Sequence, residues 1–523
     1  MHGVEIVLVS LLVAVAGLAA IARRLDVPYP IVLTIGGLVM GFLPVIPDAE
    51  LDPELVLVLF LPPLLYSSAF FASLRDLRFD LRSISMLAIG LVLATAVTVA
   101  VVAHALIEDL PWAAAFALGA IVAPTDPLAA GAIARRLNVP RRTMTILEGE
   151  SLINDGTALV IYRVAVGAVG GSFSLLDASA QFVLGAAGGI AIGLAVGWVI
   201  AEIRKRIDDP PVEVTISLLT GYAAYVPAER AGCSGVLAAV TVGIYIGWRA
   251  PDISNARQRV AGYGMWQILQ FLLNALLFVL IGLQLPLILE GLEEDPLGEI
   301  IGITAVIALV VILTRMVWME VMTFLIRAID RRPSQIARRG TWRGRIVGGW
   351  AGMRGAVSLA AALALPADFP AREELLFITF GVIFATLVLQ GLSLPAVIRW
   401  AGLHDDGAEV REELLARRRA TQAALDRIEE LKAVEWTRDD TLDRMRGLYE
   451  FRARRLTRRA GESEQEEEED MEQRSRRYQK IVRQVLDAQR GVIVELRNRG
   501  EISNDVMHRI ERELDLEDER LEI

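Results

Sequence analysis

Cysteine, histidine and lysine are nearly missing from this chain, and each absence removes a class of chemistry. Among 523 residues there is one cysteine, Cys233, so neither a disulfide framework nor a cysteine-rich zinc site can be built. The four histidines are His2, His104, His404 and His508, and only His104 lies in an apolar stretch. Histidine-based catalysis or metal binding at membrane depth is thereby nearly excluded. Charge is sparse as well, but only in one part. Residues 1–404 hold 59 charged side chains, whereas the 119 residues from 405 to 523 hold 57, as 25 Arg/Lys against 32 Asp/Glu. The net charge of -10 therefore belongs mostly to the tail and says little about the body.

What is abundant is apolar sequence. Hydrophobic residues make up 54% of the chain and its mean hydropathy is +0.45, above the roughly 45–50% apolar content of soluble domains. A helix that crosses a bilayer needs about 20 mostly apolar residues. That window predicts an all-α polytopic membrane protein with thirteen spans: 4–22, 30–46, 51–72, 84–107, 111–134, 144–168, 178–203, 211–228, 233–249, 265–289, 299–327, 345–366 and 374–400. The first is kept as a span rather than a cleaved signal, since Met1 to Glu5 carries no positive charge.

Basic residues alternate between the loops. Loops after odd-numbered spans contain 22 Arg or Lys, among them Arg75, Arg78 and Arg82, Arg135, Arg136, Arg141 and Arg142, and Arg249, Arg257 and Arg259; loops after even-numbered spans contain only Arg230 and Arg372. Loops rich in Lys/Arg stay in the cytoplasm. The expected orientation is N-terminus outside and tail inside. An odd count also lets two six-span halves start on opposite sides, the topology of inverted-repeat transporters.

Ionisable groups inside spans are costly unless paired or hydrated, and each is a candidate for function. The sixth span reads Leu147-Glu148-Gly149-Glu150-Ser151-Leu152-Ile153-Asn154-Asp155-Gly156. At 3.6 residues per turn, Glu148, Ser151 and Asp155 stack on one face and Glu150 and Asn154 form an adjoining stripe. A midplane carboxylate beside Ser and Asn oxygens is what a small hard cation needs when it sheds water. In the fifth span, Ala123-Pro124-Thr125-Asp126-Pro127 places two prolines three residues apart, which predicts an unwound break holding Thr125 and Asp126. Asp126 is also placed to cap the half-helix that follows. In the twelfth span, four glycines within 348–355 weaken the helix around Arg354. Two crossed discontinuous helices are the expected result, with Arg354 partnered by Glu148 or Glu150. Arg315 has two expected partners, Glu320 or the C-terminal end of a half-helix.

The three motifs, Ala-Pro-Thr-Asp-Pro at 123–127, Glu-Gly-Glu-Ser-Leu-Ile-Asn-Asp-Gly at 148–156 and Gly-Trp-Ala-Gly-Met-Arg-Gly-Ala-Val-Ser at 349–358, resemble the monovalent cation/proton antiporters of the NhaP/NHE type, over about residues 1–400. The resemblance implies a core domain with two crossed broken helices beside a dimerisation domain, hence a homodimer in the lipid of the cell inner membrane. It implies Na+/H+ exchange by alternating access for pH and Na+ homeostasis, with no cofactor and no nucleic-acid partner. Carried over by position, Asp155 would bind cation and proton in turn, with Ser151 and the Thr125 backbone as further Na+ ligands. Asn154 would mark the electroneutral subgroup, and Glu148 with Arg354 would form a buried ion pair. One position departs from the pattern. Where many relatives have a carboxylate after Pro62-Pro63, this chain has Ser67, which leaves Na+, K+ and Li+ preference open.

Other readings stand beside this one. A K+/H+ exchanger, an organic-anion carrier and a cation channel fit the same spans, while an intramembrane hydrolase using Ser151 has no histidine or lysine base nearby. Residues 405–523 read as a charged cytoplasmic helical tail, with Glu462 to Asp470 as a solvated acidic linker. No Gly-rich nucleotide fingerprint occurs in it.

Overall fold

Backbone polar groups in a bilayer must be satisfied internally, and a helix does so within a single segment. The computed structural model describes residues 2–43, 53–171, 175–292, 297–329, 340–403, 407–434, 436–459 and 465–522. Among these the chain is all-helical, about 85% helix with no strand. It divides into two compact units, residues 1–405 and 406–523.

The first unit holds α1 (His2–Leu25), α2 (Tyr29–Gly41), α3 (Pro53–Phe71), α4 (Leu74–Ser85), α5 (Val92–Leu106), α6 (Trp112–Val122), α7 (Pro127–Arg136), α8 (Arg141–Val169) and α9 (Leu175–Arg204). It continues with α10 (Pro210–Arg230), α11 (Gly235–Ile253), α12 (Ala256–Leu283), α13 (Leu285–Glu290), α14 (Leu297–Ile329), α15 (Trp342–Trp350), α16 (Ala356–Leu363), α17 (Arg372–Ala385) and α18 (Gly391–Ala401). Among the described residues, eight helical stretches are long and apolar enough to cross a membrane, and Tyr29–Gly41 and Val58–Phe71 are shorter apolar helices. Helices also occupy the remaining expected spans, 4–22, 211–228 and 345–366. Parts of the expected span 30–46 and of the loop that follows it lie outside the described residues.

Both expected interruptions are present. Pro124 and Pro127 leave residues 123–126 out of helix between α6 and α7, and the glycine-rich stretch 351–355 separates α15 from α16. Two further irregularities are π-helical turns, Met86–Leu91 joining α4 to α5 and Thr386–Gln390 joining α17 to α18.

Two loop expectations need correction. Arg75, Arg78 and Arg82 do not lie in a loop but on α4, whose apolar residues Leu74, Leu77, Leu81 and Ile84 recur at helical spacing. The window for a span missed it because only one face is apolar. Arg142 grips the buried Asp80 of α4 through Nε at 3.1 Å and Nη2 at 2.6 Å, tying α4 to the start of α8. Arg257 and Arg259 likewise sit in the first turn of α12, which Asn255 caps by accepting from Gln258 N–H at 3.0 Å. Helices elsewhere approach through small residues, as membrane helices do when backbones pack directly. Gly37 of α2 and Gly282 of α12 each face the other helix's backbone so closely that a Cβ on either would collide with it.

The second unit comprises α19 (Ala408–Leu431), α20 (Asp439–Arg459), α21 (Gln465–Asn498) and α22 (Asn504–Glu522). Leu486 and Ile493 of α21 pack on Met507 and Leu514 of α22. Arg490 bridges the same two helices through Asp515 at 2.7 Å and Asp518 at 3.2 Å. The acidic run was expected to be a linker, but α21 begins at Gln465 and takes in its last six residues. Glu and Gln are strong helix formers, and that propensity outweighs the low complexity. Residues 460–464 lie outside the described residues.

Candidate functional site

α8 presents its acidic groups in different directions, and the fold gives each a different neighbour. Residues two apart on a helix point to nearly opposite sides. Glu150 turns into the protein, where both its side chain and that of Arg315 from α14 are almost fully buried, 2% and 1% exposed. Arg315 holds it with two nitrogens, Nη2 to Oε2 at 2.8 Å and Nη1 to Oε1. The same guanidinium donates from Nε to the Gly348 carbonyl at 3.1 Å, near the C-terminal end of α15. The network continues into the first break: Thr125 Oγ1 donates to Glu150 Oε1 at 2.9 Å, and Asn154 Nδ2 donates to Thr125 Oγ1 at 2.9 Å.

The buried pair is thus Glu150 with Arg315, and the expected pair of Glu148 with Arg354 does not form. Glu148 points the other way, toward α7, where Arg135 Nη1 meets it at 3.1 Å with both side chains partly exposed. Arg354 is fully buried but forms no ion pair among the described residues; its Nη1 donates to the Ala123 carbonyl at the C-terminal end of α6. There it sits where a helix end offers partial negative charge. Nor does Arg315 meet Glu320, which is held by Arg345 at 3.0 Å. Farther along α8, Arg163 joins Glu229 of α10 at 2.5 Å.

The two breaks are bonded to each other. Asp126 N–H donates to the Met353 carbonyl at 2.8 Å, and Arg354 N–H donates to Thr386 Oγ1 at 3.1 Å. Asp126 also caps α7, accepting from Leu128 N–H at 2.8 Å. A Cβ added at Gly355 would stand 2.5 Å from Asp126 Oδ2 and 2.7 Å from its Cβ. Gly355→Ala must therefore push the breaks apart. The expected cost is about 1–3 kcal/mol of stability, measured as a lower midpoint of thermal unfolding of the detergent-solubilised protein.

Asp155 stands apart from this network. It is 7% exposed, and no donor among the described residues bonds its carboxylate. It lines a cavity of about 540 Å³ together with Thr125, Asp126, Glu148 and Ser151. The structure thus brings together Asp155, Ser151, Thr125 and Asp126 around one space and places Asn154, Glu150 and Arg315 behind it as support. An ionised carboxylate facing water-sized space, with hydroxyl and backbone oxygens beside it, can take either a proton or a partly dehydrated cation.

Sequence reasoning missed the far wall. Gln267, Gln270 and Asn274 of α12 line the same cavity. Their spacing of three and four residues in an otherwise apolar span is a polar helical stripe, a signal that was there to be read. Ser67 is fully buried, with Oγ donating to the Leu64 carbonyl at 3.0 Å and accepting from Gln270 Nε2 at 2.8 Å. Its neighbour Ser68, rather than Ser67, faces the cavity.

The model of the family "Sodium/hydrogen exchanger, transmembrane" matches residues 8–400. An uncharacterised Na+/H+ exchanger of Mycobacterium tuberculosis is 38% identical over 99% of this chain and 96% of its own length. A sodium, potassium, lithium and rubidium/H+ antiporter of Bacillus pumilus is 34% identical over 71% of this chain and 57% of its own. Among solved structures, the sodium proton antiporter MjNhaP1 from Methanocaldococcus jannaschii at pH 8 has a similar fold, with a TM-score of 0.61 at 22% identity, over 76% of this chain and 98% of that one.

Proposed function

Because the chain belongs to the transmembrane sodium/hydrogen exchanger family, we propose that it exchanges Na+ for H+ by alternating access, with Asp155 binding the two ions in turn. Cation/proton exchange across a membrane is the family's activity, a transport and not an enzymatic reaction. The observation that carries the assignment to Asp155 is its place: a carboxylate without a protein donor, facing a cavity also lined by Ser151, Thr125 and Asp126.

The physics of coupling follows. Moving an ionised carboxylate through a dry barrier costs several kcal/mol unless the charge is neutralised. A site that crosses only when occupied must carry either one Na+ or one proton, and the two compete. Glu150 and Arg315 cancel each other and stay out of the cycle. One monovalent charge then travels each way and the exchange is electroneutral. Ser151 and Thr125 contribute further Na+ ligands in this reading, while Asn154 holds Thr125 in place.

The same reading includes thirteen spans arranged as inverted six-helix repeats and a homodimer in the cell inner membrane, with the N-terminus outside and the helical tail, residues 405–523, in the cytoplasm. The orientation in this reading is supported by the alternation of Arg and Lys between successive expected spans, 22 against 2, a count that includes the arginines now placed on α4 and in the first turn of α12. Arg135 and Glu148 line the same cavity, and in this reading the basic residues that follow Arg135 put their end of it on the cytoplasmic side. A second cation is favoured by one particular observation: the Bacillus pumilus relative is named for potassium and lithium as well as sodium.

The test is proton flux in proteoliposomes with Na+, Li+ and K+ supplied separately, with and without a membrane potential. Flux with Na+ that is unchanged by the potential is the expected result. Currents far above transporter turnover would instead mean a channel.

A further inference from the structure

On α12 and α16 the cavity carries unsatisfied oxygen atoms that the exchange cycle described above does not use. Along α12, Gln267 is exposed, Gln270 half-buried and Asn274 buried at 3%. Burial thus deepens along a stripe of carboxamides that ends at Asn274. Its Oδ1 has no hydrogen-bond partner among the described residues. Neither has Oγ of Ser358, 1% exposed, in the first turn of α16, a helix that packs against α12. Both residues line the cavity that Asp155 lines. A buried acceptor left without a donor is costly, and two of them at one cavity need a partner that donates or carries positive charge.

We propose that Asn274 is a specificity-determining ligand for the transported cation, its amide oxygen and Ser358 Oγ completing the coordination that Asp155 begins. The inference rests on the exchange reading and deepens it by assigning the choice among monovalent cations to α12 and α16. Neutral oxygens suit that task. They replace lost water without adding fixed charge, so the balance at Asp155 is kept, and the number of such ligands sets which ion is best served. Small ions lose the most hydration on entering and depend most on each replacing oxygen. The stripe of Gln267 and Gln270 leads an ion inward to the point where Asn274 takes over.

The experiment measures apparent KM and Vmax for Na+, Li+ and K+ in proteoliposomes of the full chain carrying Asn274→Leu, which keeps the branched shape and removes both amide groups, and Asn274→Asp, which keeps shape and adds charge. Asn274→Leu is expected to raise KM by about tenfold for Na+ and Li+ and by less than about threefold for K+, with Vmax held, as loss of a ground-state ligand requires. Asn274→Asp is expected to lower KM for Na+. A merely structural role would lower thermal stability and Vmax while leaving the KM ratios among the three ions alone. Ratios within about twofold of the wild type in both variants overturn the proposal. If Asn274→Leu does not elute as a monodisperse protein, the ratios in Asn274→Asp decide alone. Wild-type protein that exchanges none of the three ions overturns the antiporter reading and this one with it, whereas active wild type with unaltered variants overturns only this one.

Discussion

Asp155→Asn is expected to reduce cation/proton exchange to the level of protein-free liposomes while leaving the protein folded. Asparagine keeps the size of the side chain and a carbonyl oxygen but can neither release a proton at working pH nor offset the charge of a cation. If one carboxylate is the place where both ions compete, its neutral isostere removes both sides of the exchange together. Stability should move the other way. The Asp155 carboxylate has no donor among the described residues and is 7% exposed, and an unpaired charge so placed costs folding free energy. Asp155→Asn should therefore unfold at a temperature equal to or above that of the wild type. The pair of measurements separates a lost ion site from a lost fold. Proteoliposomes of the variant that still move Na+ against a pH gradient would contradict the assignment.

Arg315→Ala carries the largest expected loss of stability, about 3–5 kcal/mol, because it leaves Glu150 charged, buried and unpaired. It also removes the donor to the Gly348 carbonyl, so the end of α15 loosens as well. Arg315→Lys should recover only part of this, since an ammonium cannot hold both Glu150 oxygens and a carbonyl with the guanidinium's planar fork. The double variant Arg315→Leu with Glu150→Leu should be much less damaged than Arg315→Ala, because no charge is stranded. Thermal unfolding midpoints of the four proteins check the order. Arg354→Ala, by contrast, strands no carboxylate; it forfeits a bond to the Ala123 carbonyl, and its penalty should fall well below that of Arg315→Ala. A larger loss for Arg354→Ala than for Arg315→Ala would contradict the pairing described here.

The breaks were legible in the sequence and the pairings were not. Pro124 and Pro127 act on their own backbone and on the residue before each, so the interruption between α6 and α7 follows from local chemistry. Four glycines did the same for the stretch between α15 and α16. The choice between Glu148 and Glu150 for a buried arginine is different. Both are equally acidic and equally deep along the span; what separates them is which neighbouring helix covers each side of α8, and no local pattern encodes that. Resemblance pointed to Glu148 with Arg354, yet α14 brings Arg315 onto the Glu150 side, and α7 brings Arg135 onto the other. The α12 stripe was legible but unread, because two glutamines and an asparagine carry no charge and escaped a search for ionisable groups. α4 escaped for the converse reason: its arginines marked it as a loop, although its leucines recur at helical spacing.

An interrupted helix is ordinarily a soft point in a bundle, the natural place for a hinge. Here the two interruptions are stitched together, by the bond from Asp126 N–H to the Met353 carbonyl and by Arg354 reaching the Ala123 carbonyl, and Gly355 leaves no slack between them. The mechanical result is a stiff knot where the two interrupted helices meet. Compliance has to reside in other segments: the π-helical turn Met86–Leu91 is one, whereas Thr386 of the second π-helical turn is itself held by Arg354 N–H. Strain applied at Asp155 would then be carried through the knot whole and released beyond it.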